Sequence, residues 1–174
     1  AWSNSLFEDN AEFGFGMNLA TAQRREKLAE QVAYIAENGK DPAKVEAAKE
    51  WLANMKDAEG SRKAGEKLVA LIEKDADKVC EPAKYVLANK DLLTKKSIWI
   101  FGGDGWAYDI GYGGVDHVLA QNQDVNILVL DTEVYSNTGG QASKSTPTGS
   151  VAKFAAAGKR TKKKDLGMMA MSYG

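Results

Sequence analysis

The sequence predicts an α/β fold in which a parallel-sheet core follows a helical section. Residues 1–96 are rich in Ala, Glu and Lys, with apolar residues at three- and four-residue steps, which is typical of helices. Residues 97–101 and 125–130 are short, almost continuously apolar runs, as expected for buried parallel strands. A helical pattern between the two runs completes a βαβ unit. We therefore divide the chain into 1–96, mainly helical, and 97–174, the α/β core, as parts of one domain truncated at both ends.

The helical section should contain four helices. Apolar residues recur from about Phe15 to Ile35, and Gly39 should end this first helix. Asp41 and Pro42 then fit the N-cap and first turn of a second helix. Ser61 is expected to open a third helix, and a fourth should follow residue 80. In the core, the helix between the two strands is expected from about residue 108 to residue 120.

Composition excludes several classes of protein. The 174 residues are 44% hydrophobic and 27% charged, which excludes collagen-like, mucin-like and wholly disordered chains. The net charge of -1 gives no reason to expect a nucleic acid or a membrane as partner. The single cysteine excludes an intrachain disulfide and a multi-cysteine cluster built from this chain alone. We expect a reducing, cytoplasmic location.

Two loops at the predicted strand ends carry the candidate chemistry. Gly103-Asp104-Gly105 follows the first strand, where glycines and a helix start suit phosphate, and a carboxylate beside phosphate suits Mg²⁺. Thr132 follows Asp104 by 28 residues and ends the second strand. Adjacent parallel strands bring both loops to one sheet edge, so one ion can take oxygens from Asp104, Thr132 and a nearby backbone carbonyl. The alternative is a plain Gly-Asp-Gly turn.

The same segments resemble a known family. The Gly-Asp-Gly motif, the spacer and the polar residue at the next strand end are similar to the thiamine diphosphate motif of thiamine-dependent enzymes. In detail, GGDGWAYDIGYGG (102–114) and TEVYSNTGGQ (132–141) resemble the C-terminal thiamine-binding domain of pyruvate:ferredoxin (flavodoxin) oxidoreductases. The resemblance covers essentially the whole chain and is loosest across 38–90. It implies an internal fragment of that domain, with a partial thiamine diphosphate-binding fold.

The resemblance also implies roles for individual residues. Asp104, Thr132 and the carbonyl of Val134 would bind Mg²⁺. Asn137 would reach the reacting substrate, where a neutral amide can donate to a carboxylate or a developing oxyanion. The diphosphate would be lined by the two strand-end loops, namely Gly103, Asp104, Gly105, Trp106, Thr132, Glu133, Val134, Tyr135, Ser136 and Asn137.

The implied activity belongs to a larger parent enzyme. Family members oxidatively decarboxylate pyruvate to acetyl-CoA and CO₂ with thiamine diphosphate and Mg²⁺, and pass electrons through [4Fe-4S] clusters to ferredoxin or flavodoxin. Pyruvate, coenzyme A, the electron carrier and the rest of the parent chain are therefore the expected partners, in a homodimer. A relative acting on another 2-oxo acid is the close alternative. A non-catalytic binding or structural module is the alternative for the isolated chain.

Two departures limit what this chain can do alone. The family's cluster cysteines lie before and after the matched stretch, and Cys80 fits no ligand position, so we expect a buried or part-buried thiol. The glutamate that activates the cofactor comes from another domain, and neither Glu133, Glu8 nor Glu12 is a substitute. We expect the half-site that binds Mg²⁺ and diphosphate, not a working enzyme.

The remaining polar features have plain interpretations. His117 is expected to be a structural helix residue, with a catalytic base as the alternative. Trp106, with Tyr108 and Tyr112, either walls a cofactor pocket or packs against the sheet. Residues 143–145 are expected in a mobile exposed loop, with phosphate contact as the alternative. The basic run 159–164 is expected to be a solvated face or a partner contact.

Overall fold

The computed structural model describes residues 10–75 and 80–174, which divide into two compact units. The helical unit comprises residues 19–96. The α/β unit comprises residues 97–174 together with 10–18. The first helix, α1 (Ala11–Asn38), contributes its opening residues to the α/β unit and the rest to the helical unit.

The helical unit continues with α2 (Pro42–Asn54), α3 (Ala58–Glu73), α4 (Glu81–Ala88) and a 3₁₀ turn at Lys90–Leu92. The predicted N-cap Asp41 is confirmed, since its carboxylate accepts the N–H of Ala43 at 2.9 Å. The predicted start of α3 at Ser61 is wrong. Asp57 is the N-cap instead, because its carboxylate accepts the N–H of Gly60 at 2.6 Å.

The core of the helical unit is built around Trp51, which is fully buried among aliphatic side chains of the other helices. Its indole N–H donates to the carbonyl of Leu93 at 3.0 Å. Arg25 of α1 donates to the carbonyls of Met55, Leu92 and Leu93, at 2.8, 2.9 and 3.2 Å. Burial lowers the pKa of the Arg25 guanidinium. These bonds tie α1 to the chain that leaves the unit.

The α/β unit contains β1 (Trp99–Gly102), α5 (Asp104–Tyr108), α6 (Tyr112–Ala120), β2 (Asn126–Val129), the hairpin β3 (Val134–Tyr135) and β4 (Gln141–Ala142), and α7 (Leu166–Ala170) with a final 3₁₀ turn at Met171–Tyr173. Strands β1 and β2 pair in parallel, which confirms the predicted βαβ unit. The helix expected from residue 108 to 120 is wrong in its extent. The helix begins later, at Tyr112, and a separate short helix that was not predicted, Asp104–Tyr108, precedes it. The break falls at Asp109, whose backbone dihedral angles are not helical and whose carboxylate lies 3.0 Å from Nζ of Lys144.

The two faces of the β1–β2 sheet are buried unequally. Ile100 is fully buried, and a Cβ at Gly14 of α1 would lie 2.9 Å from its side chain. On the other face Trp99, Phe101 and Leu130 are 50%, 46% and 53% exposed. The expectation of fully buried strands is therefore wrong for one face of the described sheet. Among the described residues, no helix has both the length and the apolar character needed to cross a bilayer.

Candidate functional site

The ends of β1 and β2 bring the two predicted loops together. Gly102 pairs with Val129 in the parallel register, and the N–H of Leu130 donates to the Gly102 carbonyl at 2.8 Å. This bond extends the pairing beyond the last strand residue of β2. The loops that follow β1 and β2 therefore start side by side at the same edge of the sheet.

Asp104 lies at this edge and is almost completely buried, with 2% exposure. Its Oδ1 accepts the backbone N–H of Thr132 at 3.1 Å. Its Oδ2 accepts the hydroxyls of Ser143 and Ser145 at 2.8 and 2.5 Å. A buried carboxylate is tolerated when donors replace its lost water, and three donors do so here.

Thr132 and Val134 form the second half of the arrangement. The Thr132 hydroxyl donates to the Val134 carbonyl, with 2.9 Å between the two oxygens. Between them Glu133 adopts a left-handed backbone conformation, with φ of 64°. This conformation is uncommon for a residue with a side chain, and such residues cluster at functional sites. The turn at Glu133 directs the Thr132 hydroxyl and the Val134 carbonyl to the same place.

These oxygens suit a hard cation. Neighbouring ligands on an octahedral Mg²⁺, each at roughly 2.0–2.1 Å from the ion, lie about 2.9 Å apart. The spacing between the Thr132 and Val134 oxygens matches this, once the hydroxyl proton turns away from the carbonyl. Among the described residues, no group of three or more His, Cys, Asp or Glu is placed to hold a metal. The oxygens of Asp104, Thr132 and Val134 are not such a group, because they are one carboxylate, one hydroxyl and one backbone carbonyl.

The other predicted site residues take different positions. Gly103 leaves space, since the nearest heavy atom to a Cβ added there is the Leu130 carbonyl oxygen at 3.9 Å. Trp106 is fully buried, and its ring lies against Gly102 in the core, so the packing alternative describes its side chain. Ser136 is exposed at the start of the turn that links β3 and β4.

A cavity of about 570 Å³ borders this edge. Gly105, Tyr135 and Asn137 of the predicted set line it, together with the strongly exposed side chains of Ile110 and Phe154. Asn137 thus borders a partly apolar cavity beside the Asp104 loop. His117 lies on the exposed side of α6 and does not line this cavity.

Asp131, next to the site, binds both Tyr108 and Lys163. Its Oδ2 accepts the hydroxyl of Tyr108 at 2.8 Å and lies 2.7 Å from Nζ of Lys163. Burial raises the pKa of the Asp131 carboxyl, but the hydrogen bonds from Lys163 and Tyr108 outweigh burial and lower it overall. The Asp131 contact raises the pKa of Lys163, while burial and Asp131 together raise that of Tyr108.

The basic run 159–164 makes internal contacts, but Arg160, Lys162 and Lys163 are exposed, so the expected solvated face is present in part and the partner contact stays a prediction. Lys163 binds Asp131, as described above, and Lys159 donates to the carbonyl of Thr146 at 2.5 Å. Lys164 lies 3.2 Å from the centre of the Tyr112 ring, which is a cation–π contact. Burial lowers the pKa of Lys164. Three of the basic residues therefore hold the segment against the α/β unit.

The contact of residues 143–145 with Asp104 was not predicted from the sequence. Ser143 and Ser145 are 4% and 0% exposed, so the expectation of an exposed loop is wrong for both serines, whereas Lys144 between them is exposed. Three hydroxyl residues before a proline are a turn signal that could have been noted. The expected burial of Cys80 is also wrong. Cys80 is exposed and occupies the N-cap of α4.

The sequence model of the thiamine pyrophosphate enzyme C-terminal TPP-binding domain matches residues 83–174. The chain belongs to this family. A second model, the pyruvate-ferredoxin oxidoreductase insertion domain, matches residues 24–79. The predicted division of this TPP-binding family member into 1–96 and 97–174 stays a prediction.

Individual relatives match the whole chain. A pyruvate:ferredoxin oxidoreductase of Moorella thermoacetica is 58% identical over 178 residues, and a pyruvate-flavodoxin oxidoreductase of Klebsiella pneumoniae is 53% identical over 174 residues. A mitochondrial pyruvate dehydrogenase [NADP(+)] of Euglena gracilis is 50% identical over 176 residues. The predicted resemblance to pyruvate:ferredoxin (flavodoxin) oxidoreductase is confirmed. The chain spans 15%, 15% and 10% of these three proteins.

Proposed function

We propose that this chain supplies the Mg²⁺- and diphosphate-binding half of a thiamine diphosphate site in a pyruvate:ferredoxin (flavodoxin) oxidoreductase. Asp104, Thr132 and the Val134 carbonyl bind the ion. The backbone around Gly103 and Gly105 approaches the diphosphate. The observation that carries the proposal is the junction of the two strand-end loops, in which Thr132 bonds to Asp104 through its N–H and to Val134 through its hydroxyl.

The donor chemistry supports this assignment. Mg²⁺ prefers oxygen ligands and is commonly held by one or two protein carboxylates together with substrate phosphates. A site with one carboxylate and two neutral oxygens leaves positions and charge for a diphosphate. The fit requires no movement of the Thr132 and Val134 oxygens relative to one another, because they already have the separation of neighbouring octahedral ligands.

The remaining predicted residues have roles in binding and orientation. Thiamine diphosphate, when bound, supplies the carbanion chemistry that 2-oxo acid decarboxylation needs. Asn137 lines the adjoining cavity, so its amide can donate to the substrate carboxylate without adding charge. Ile110 and Phe154 offer exposed apolar surface in the same cavity.

The larger reaction needs parts beyond these residues. We propose oxidative decarboxylation of pyruvate to acetyl-CoA and CO₂, with electrons passing through [4Fe-4S] clusters to ferredoxin or flavodoxin. The cluster ligands and the cofactor-activating glutamate would come from the rest of a longer polypeptide, in a cytoplasmic homodimer. The names of the relatives, pyruvate:ferredoxin oxidoreductase and pyruvate-flavodoxin oxidoreductase, support pyruvate and the two carriers. The isolated chain would bind the cofactor without turnover.

A different electron acceptor is the second candidate. The Euglena gracilis protein named pyruvate dehydrogenase [NADP(+)] is nearly as similar over this chain as the flavodoxin-named relative, at 50% against 53% identity. Residues 1–174 therefore carry little that distinguishes the acceptors. Reduction assays on the full-length polypeptide with ferredoxin, flavodoxin and NADP⁺ separate the two candidates.

Calorimetric titration tests the half-site. Thiamine diphosphate is titrated into the folded chain with Mg²⁺ and, in parallel, with EDTA. We expect metal-dependent binding that Thr132→Val weakens roughly tenfold or more, because an isosteric methyl replaces a ligand oxygen. Thr148→Val is the matched control, since the Thr148 hydroxyl donates to the Thr161 carbonyl away from the ligand set.

The outcomes separate two explanations of failure. Equal affinity of the Thr132→Val and Thr148→Val variants contradicts the ligand assignment. Absence of binding to the folded wild-type chain, followed by metal-dependent binding to the full-length polypeptide, means that another domain completes the site. Absence of binding to both refutes the proposed function.

A further inference from the structure

The loop of residues 143–146, called here the hydroxyl loop, is buried beside Asp104. The hydroxyls of Ser143 and Ser145 both lie within hydrogen-bond distance of one carboxylate oxygen, Oδ2, and their Oγ atoms are 2.8 Å apart. Both serines are almost fully buried. Neither residue belongs to the ligand set proposed above.

We propose that Ser143 and Ser145 are positioning residues that hold the Asp104 carboxylate in the orientation that binds the cation, with Oδ2 against the hydroxyl loop and Oδ1 toward Thr132. The two hydroxyls lie on the same side of Oδ2, because their Oγ atoms are only 2.8 Å apart, and with two protons for three contacts at least one of them donates to Oδ2. Oδ1 accepts a single N–H, from Thr132, so one lone-pair direction stays open there. Oδ1 is thus the oxygen of Asp104 that contacts the loop of Thr132 and Val134, called here the second ligand loop.

The hydroxyl loop also holds that second ligand loop. The hydroxyl of Thr146 donates to the backbone carbonyl of Glu133, the left-handed residue between Thr132 and Val134. The same loop thus fixes the side chain of one ligand and the backbone between the other two. It is itself fixed, because the Thr146 hydroxyl accepts the N–H of Ser143 at 2.9 Å and Lys159 binds the Thr146 carbonyl.

This arrangement carries a consequence for cation affinity. A carboxylate free to rotate must be ordered when the ion binds, whereas one held by two buried hydroxyls is ordered beforehand. Neutral hydroxyls do this without cancelling the negative charge that attracts the ion, as a lysine or arginine would. The inference rests on the proposed function, since it concerns the cation of that same site.

Manganese binding to the 174-residue chain tests the inference. Free Mn²⁺ is counted by electron paramagnetic resonance, with and without thiamine diphosphate, for wild type, Ser143→Ala, Ser145→Ala and the double variant. We expect each single variant to bind Mn²⁺ roughly tenfold more weakly, which is the usual effect of removing a residue that orients a ligand. Ser150→Ala is the control, because it removes a hydroxyl from the same segment without touching Asp104.

Hydrogen exchange in the metal-free chain supplies a readout that does not depend on the ion. The Thr132 amide donates to Asp104, whereas the Leu130 amide donates to Gly102 in the strand ladder. We expect the serine variants to speed exchange at Thr132 and to leave Leu130 unchanged. Equal acceleration at both amides would reveal general destabilisation and overturn the positioning role.

The two proposals fail differently. Wild-type Mn²⁺ binding that the serine variants leave unchanged overturns the positioning role and leaves the proposed function standing. Absence of Mn²⁺ binding to the folded wild type, with and without thiamine diphosphate, overturns both. Weaker Mn²⁺ binding by the variants, with faster exchange at Thr132 alone, supports both.

Discussion

Substitution by alanine should lower the stability of the protein strongly at Gly102 and only slightly at the adjacent Gly103. A Cβ at Gly102 would lie 1.7 Å from the indole ring of Trp106, whereas the nearest atom to a Cβ at Gly103 is 3.9 Å away. Gly103 also has an extended backbone, with φ of -103°, that alanine adopts freely. The first glycine is therefore required for packing, and the second is available for close approach of a ligand.

The magnitude follows from the displacement. Carbon atoms in contact are about 3.5–4.0 Å apart, so Gly102→Ala must move the Trp106 ring by roughly 2 Å. The ring is fully buried, and overpacking of such a site costs about 1–3 kcal/mol, with about 3–5 kcal/mol as the limit if the indole is expelled. We expect about 3 kcal/mol, equivalent to roughly 6–12 °C in the unfolding midpoint of a chain this size. Gly103→Ala should stay within about 1 kcal/mol of wild type.

Peptide-resolved hydrogen exchange measures this better than a single melting curve, because two compact units need not unfold in one transition. Peptides within 97–120 should lose protection in Gly102→Ala, while peptides within 42–73 of the helical unit serve as the internal reference. Wild-type protection in Gly102→Ala would refute the packing argument. So would an equal loss in Gly103→Ala.

Two further predictions concern stability. Asp57→Ala should destabilise the helical unit by about 1 kcal/mol, measured by urea unfolding, because the N–H of Gly60 loses its acceptor; an unchanged midpoint would contradict the cap. The folded state raises the pKa values of Lys163 and Tyr108, so protonation of these groups contributes to the stability of the α/β unit. This contribution is complete below about pH 10 and is lost as the pH rises through the pKa values of the folded protein. Asp131→Asn should flatten that alkaline decline in circular dichroism, since it removes the shared charge, and an unaltered pH profile would exclude the network as its cause.

The site was predictable where it depended on strand ends. Two apolar runs flanking a helix predicted the parallel pair, and parallel pairing brought Asp104 and Thr132 to one edge. The hydroxyl loop was not predictable in the same way. Ser143 and Ser145 follow Asp104 by 39 and 41 residues, and nothing local in the sequence specifies that a polar loop folds back onto a buried carboxylate.

The backbone conformation of Glu133 was also not predictable from the sequence. Glutamate has no preference for a left-handed backbone, so the turn at Glu133 is imposed by its surroundings, including the Thr146 hydroxyl on its carbonyl. The single helix expected before β2 failed for a related reason. The helix starts only at Tyr112, after Asp109 has taken non-helical dihedral angles and a contact with Lys144, which is distant in sequence.

The bonds made by Arg25 bear on the order in which the protein folds. The helical unit is continuous in the chain, whereas residues 10–18 of the α/β unit are synthesised long before residues 97–174. Arg25 joins the first helix to the carbonyls of Leu92 and Leu93, so folding of the helical unit draws its two ends together. Closing a flexible loop of this length costs about 4 kcal/mol in chain entropy. A helical unit that folds first removes most of that cost, and the α/β unit then assembles from two segments already held as neighbours.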